Sequence, residues 1–282
     1  MRSSGWGFDE AQVFAYLDTS FLNWLVGRPV TAASISAMRR LRFTAPVSPA
    51  VLDEILATPD RDRRVKLFEL ALEVCDPSLI LKPVHQLFVD EIRASVANAR
   101  SNPFLATDSA QELLRYYSGL VRDDHALVRA WAGLKQQNQN WRNALCAFHR
   151  DLRSVDPDLT RKTITPPFQE HYQRLAPEFA RHWGRRAGIP ENFEPGVLLG
   201  NRTVRAGISY ALALDWDHKY GPKRNRPVKP SDACDLQHAI LAAAASAALV
   251  VRDRIFKARL ERASVVERFE IFDFAEFVRR VL

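Results

Sequence analysis

Cysteine is scarce in this chain: three in 282 residues, at positions 75, 146 and 234. They are widely separated and form no Cys-x-x-Cys, so neither a disulfide framework nor a thiolate zinc site is signalled. Long apolar runs are lacking too. The longest, residues 239–251, is alanine-rich and well short of the ~20 residues that cross a bilayer. No apolar signal core precedes Asp9 and Glu10, and the apolar stretch after them is interrupted by Asp18. The expectation is a cytoplasmic protein with no membrane partner. Internal repeats and low-complexity linkers are also missing, which argues against a solenoid or a tethered array.

What the chain does have is material for a core: 47% of its residues are hydrophobic, ample for one elaborated domain or two small ones. Its formal net charge of +7 is a moderate basic excess that suits a polyanionic partner.

Residues 13–17 form a continuous apolar run, the pattern of a strand buried on both faces of a parallel sheet. Thr19 or Ser20 can cap a helix after it. A second helix is expected at 32–41 and a strand at 43–47. Ser48 and Pro49 then open a helix in the favoured cap-then-proline order. Helical spacing of apolar residues continues over 62–75, a short strand fits 79–81, and helix returns at 84–99. This order predicts a mainly parallel sheet with helices on its faces. From 101 to 226 only helices are expected, at 110–121, 127–137, 141–153 and 168–186. Four of the six tryptophans lie in this stretch, among them Trp183, which could stack on a base. The parallel pattern then resumes with a helix from Ser231 to about 247, a strand at 249–251, a last strand at 265–272 and a C-terminal helix. The expected organisation is therefore one domain from 1–100 and 227–282, with 101–226 as a helical insertion.

Two of the apolar runs lead to an aspartate. Asp18 follows the first strand directly, and Asp253 comes two residues after the strand at 249–251. Ligands of open parallel sheets bind beyond the carboxyl ends of the strands. Glu54, in the helix after the second strand, and Asp235, near the start of the helix after the insertion, complete an ordered set of four acids. Asp232 lies three residues before Asp235 and so on nearly the same helical face. An all-oxygen cluster suits Mg²⁺ or Mn²⁺.

These segments resemble the PIN-domain nuclease family. The matching pieces are 15–20 around Asp18, 48–55 around Glu54, 231–240 around Asp235 and 249–256 around Asp253. The resemblance implies a three-layer α/β/α fold and a metal-dependent endonuclease, usually acting on RNA and in some members a toxin with a protein antitoxin. It makes Asp18, Glu54, Asp235 and Asp253 the metal-site and catalytic acids; Asp232, by its place on the same helical face as Asp235, is a further candidate ligand. A homodimer fits the same picture. The junction before Asp232 supplies Lys219, Lys223, Arg224, Arg226 and Lys229 with no acid among them, a candidate contact for a nucleic-acid backbone.

Blander readings stand beside these. Asp232 and Asp235 could be first-turn carboxylates favoured by the helix dipole. His238 could be a buried helix histidine or a phosphate contact, and the junction cations a solvated loop. A haloacid-dehalogenase-type phosphatase needs a second aspartate two residues after the first, where this chain has Ser20. Two other readings stay open: a DNA-directed nuclease on the same fold, and a non-catalytic module that binds nucleic acid or protein.

Overall fold

A computed structural model describes residues 13–26, 43–155, 185, 188, 200–220, 227–264 and 267–281. The chain is an α/β protein, mostly helical, with a small parallel sheet. Strand β1 (Val13–Leu17) is central. It pairs in parallel with β2 (Phe43–Thr44) on one side and with β5 (Ala248–Val251) on the other, and β6 (Ile271–Asp273) pairs in parallel with β5. One residue past β2, the chain forms β3 (Pro46–Val47), which pairs in parallel with β4 (Asp76–Ile80). The segment expected as one strand at 43–47 is thus split at Ala45, and its two halves serve different neighbours. Proline in β3 has no N–H to give to a ladder, which suits so short a pairing.

The apolar runs behave as buried strands. Ala15, Tyr16 and Leu17 in β1 and all four residues of β5 are at most 3% exposed. Helix α1 (Thr19–Val26) buries Phe21, Leu22 and Leu25. Its Phe21 and Trp24 pack edge-on against Phe274 of α10 (Phe274–Val281), and Phe277 closes the same cluster over Phe43. Such tilted and edge-to-face pairs add to the area that the rings bury.

Helix α2 (Pro49–Leu56) buries Val51 and Ile55. Helix α3 (Arg61–Val74) is capped by Asp60, whose side chain accepts from Arg63 N. It carries Arg64, 2% exposed, which donates to the carbonyls of Val121 and Thr58 and pairs with Asp124. One guanidinium therefore ties the end of α2 to the turn between α5 (Thr107–Arg122) and α6 (Asp124–Val155). Helix α4 (Val84–Val96) follows β4.

Two separate helices were expected at 127–137 and 141–153, yet α6 runs through both. The polar stretch between them is bridged by side-chain bonds at helical spacing, Gln136 to Asn140 (3.0 Å) and Gln139 to Asn143 (2.8 Å). Helix α7 (Arg202–Tyr220) packs against both α8 (Pro230–Ala244) and α9 (Arg254–Ala263). Within 101–226 the described residues form helices joined by loops and no strand, apart from an antiparallel bridge from Phe104 to Leu81. The helix expected at 32–41 and all but one residue of the one expected at 168–186, including Trp183, lie outside the described residues. Among those described, no helix is long and apolar enough to cross a membrane.

Candidate active site

The register of the sheet brings the first and last acids to one edge. Leu17 pairs with Val250, so Asp18 and Asp253 both follow the carboxyl ends of adjacent parallel strands. Asp18, rather than Thr19 or Ser20, caps α1: its Oδ1 accepts from Phe21 N (3.1 Å) and from Ser20 Oγ (2.6 Å). Burial raises its carboxyl above the ordinary range, opposed by the Ser20 bond and by His238. Asp253 does the same for α9, accepting from Ile255 N (2.6 Å) and Phe256 N (3.0 Å), and it is exposed together with Arg252 and Arg254 on either side.

Of the adjacent acids on α2, Glu54 and Asp53 turn to different partners. Asp53 accepts from Tyr117 of α5 at 2.5 Å; burial pushes its carboxyl up to about 6 against that bond. Glu54 receives Thr19 Oγ1 on one oxygen and stands 3.2 Å from His238 Nε2 with the other. Burial would raise Glu54, but His238 and Thr19 outweigh it and hold the carboxyl below its usual value. His238 is 3% exposed. Its Nδ1 lies 2.7 Å from the Tyr16 hydroxyl, which is in turn 2.7 Å from Ser48 Oγ. Burial disfavours the charged imidazole, yet Glu54, with Asp18 and Asp235 adding to it, outweighs burial and lifts the ring to about 9. Ser48 therefore makes no side-chain cap bond to α2; its hydroxyl serves this chain of contacts.

Asp235 sits one helical turn before His238 on α8. Burial lifts it to about 7, with His238 and Arg259 opposing and the neighbouring acids Asp232 and Asp253 adding to the rise. Its Oδ2 accepts from Tyr210 of α7 (3.3 Å) and from Arg259 Nη1 of α9 (3.4 Å). Asp232 faces the same arginine. It is 2% exposed, accepts from Arg259 Nη1 at 2.9 Å through Oδ1 and from the Lys229 backbone N–H at 2.7 Å through Oδ2. That arrangement matches a helix-start carboxylate paired with a buried cation.

The four acids and His238 thus form one electrostatic group: His238 is influenced by Glu54, Asp18 and Asp235, and Asp235 by Asp253. The donor set is carboxylate oxygen, the chemistry a hard divalent ion takes. Among the described residues, no group of three or more His, Cys, Asp or Glu side chains stands close enough to hold a metal ion. Both oxygens of Glu54 already have partners, Thr19 and His238.

The basic junction is described only in part. Lys219 belongs to α7, Lys229 is exposed just before α8, and Lys223, Arg224 and Arg226 lie outside the described residues. Tyr16, Tyr117, Tyr210 and Arg259 were not singled out in the sequence. One signal was present for Arg259: it falls on the apolar face of α9 beside Phe256, Leu260 and Ala263, where a cation needs buried partners. No protein-family model, curated protein or solved structure matches this chain.

Proposed function

We propose that this protein is a Mg²⁺- or Mn²⁺-dependent endonuclease that hydrolyses phosphodiester bonds, with RNA as its preferred substrate, built on a three-layer PIN-like α/β/α domain. The observation that carries this reading is the parallel pairing of β1 with β5, which sets Asp18 and Asp253 on one sheet edge. Glu54 and Asp235 join them through His238, which feels the charge of both as well as that of Asp18. Asp18, Glu54, Asp235 and Asp253 would hold the ion, whose chemistry when bound is to activate water and neutralise charge on the phosphate.

The chain's own groups have distinct tasks in this reading. Tyr16 and Ser48 hold the His238 ring, and His238 with Thr19 fixes Glu54 in the crevice. Admission of a divalent ion requires Glu54 to turn an oxygen away from one of these partners. Exposed Arg252, Arg254 and Lys229 offer cations for a phosphate backbone, in keeping with the chain's basic excess.

The test is cleavage of end-labelled RNA and DNA with and without Mn²⁺, with Asp18→Asn as control. Metal-dependent cutting of RNA that the variant loses supports the reading; equal rates for the variant refute it. A second reading is favoured by the satisfied state of Glu54: a non-catalytic module of the same fold that binds nucleic acid or a protein. No heat of Mn²⁺ binding, together with RNA binding that persists, would select it.

A further inference from the structure

We infer that a polar cavity at the far end of helix α8 from the crevice is a second site, which binds a phosphate monoester carried on a sugar: a free mononucleotide or the 5′ end of an RNA. The site stands apart from the endonuclease reading above. The cavity measures about 610 Å³ and lies between the second half of α4, residues 99–103, the start of α7 and the end of α8. Small-molecule sites usually span about 300–1,000 Å³. Helix α8 carries Asp235 at the crevice and reaches the cavity with Ala244, roughly 14 Å further along its axis.

The charged lining consists of Glu91, Arg100 and Arg202. Glu91 is already committed: it accepts from the backbone N–H groups of Arg202 (2.7 Å) and Thr203 (3.0 Å), the first two of α7, and from the Thr203 hydroxyl. Burial pushes its carboxyl up to about 7 against those bonds, which removes part of its charge near neutral pH. Nearby Glu267 pairs with Arg205 at 3.0 Å. The balance at the cavity is therefore cationic. Among the described residues, Arg100 makes no hydrogen bond or ion pair, and the Arg202 guanidinium bonds only through Nη1, to Ser246 Oγ. Such forks match phosphate oxygens, and a phosphate monoester carries about −1.5 to −2 charges at pH 7. A buried donor points to the same chemistry. Asn201, just before α7, lines the cavity and is 5% exposed. Ser95 donates to its Oδ1 at 2.5 Å, which fixes the amide, and Nδ2 has no hydrogen-bond partner among the described residues. Buried donors left unpaired are costly and few in native proteins, and a phosphate oxygen supplies the missing acceptor. Ser101 and Ser246 add hydroxyls to the lining that suit those of a sugar.

The experiment titrates the full chain by calorimetry, without added metal, with adenosine 5′-monophosphate, adenosine, and a short RNA bearing a 5′-phosphate or a 5′-hydroxyl. Two variants accompany the wild type. Asn201→Asp keeps the size and the contact with Ser95 but puts an oxygen in place of the donor, and aspartate is as well suited as asparagine to the residue before a helix. Arg100→Gln removes an exposed charge. The expected result is saturable binding of the monophosphate, at least ~10-fold weaker binding of adenosine, and a loss of about 10-fold or more for the monophosphate in each variant at unchanged Tm. A preference for 5′-phosphorylated over 5′-hydroxyl RNA that both variants lose assigns the ligand to an RNA end; its absence beside variant-sensitive nucleotide binding assigns a free nucleotide. If Asn201→Asp fails to fold, Arg100→Gln alone decides. No binding of either phosphorylated probe, adenosine bound as tightly as its monophosphate, or binding unaltered by the variants overturns the inference. None of these outcomes bears on the endonuclease reading, which cleavage by Asp18→Asn tests separately.

Discussion

His238 is buried and Glu54 half-buried, and each makes the other's charge tolerable. In the metal-free protein this pair predicts a particular dependence of stability on pH. His238 titrates near 6.5 when unfolded and at about 9 when folded. A raised folded value stabilises fully below about 6.5 and is lost as pH climbs through 9, because the unfolded ring gives up its proton first. Asp235, lifted to about 7, acts with the same sign in a lower window, between its ordinary carboxylate value and 7. The unfolding free energy from urea titrations should therefore fall from pH 6.5 to 9 in the wild type, by on the order of a few kcal/mol, and much less in His238→Gln. An unchanged slope in His238→Gln would contradict the assignment of that window to His238. Asp53 gives a second residue-scale test. It depends on Tyr117 for its hydrogen bond, so Tyr117→Phe should cost about 1–3 kcal/mol in urea unfolding and raise the Asp53 pKa further. No loss would mean that the contact contributes nothing.

At the scale of elements, period and punctuation were informative where burial follows from the local run. Continuous apolar runs marked β1 and β5, and Ser48 with Pro49 marked the start of α2, all at or within a residue of the observed bounds. The misreadings share a cause, since each depends on partners far away in the chain. Nothing local in 43–47 tells that its first half pairs with β1 and its second with β4. The polar break in α6 is carried by Gln–Asn pairs that only a formed helix brings together. Helix α7 escaped notice because its buried polar residues, Ser209, Asp215 and Asp217 among them, blur the apolar stripe by which a helix is recognised. Arg64 poses the same difficulty, a charged side chain on a buried face. Its role gives a sharp expectation: Arg64→Met should lower stability by about 2–4 kcal/mol in urea, since the carbonyls of Val121 and Thr58 lose their donor. A loss below ~1 kcal/mol would show that water replaces the guanidinium there.

On the scale of the whole molecule, the ordered acids in the sequence become neighbours because the chain returns after α7 and α8 to lay β5 beside β1. The positions of Asp18 and Asp253 at a strand edge were legible, since a strand end is a local feature. The tyrosines that hold the acids were not, and Arg259 showed only as a cation on an apolar helix face, because a hydrogen bond between α7 and α9 names its partner in neither segment alone. With a net charge of +7, RNA binding by the full chain should weaken by at least ~10-fold between ~50 and ~200 mM salt. Salt-independent binding would point away from a backbone contact. The account turns on whether the sheet-edge acids do chemistry, and the most direct measurement is the rate of Mn²⁺-dependent cleavage of labelled RNA by wild type and Asp18→Asn at matched Tm. The prediction is a fall of at least ~100-fold in the variant, the upper end of what loss of a supporting contact alone would cost. Equal rates in the two proteins would contradict it.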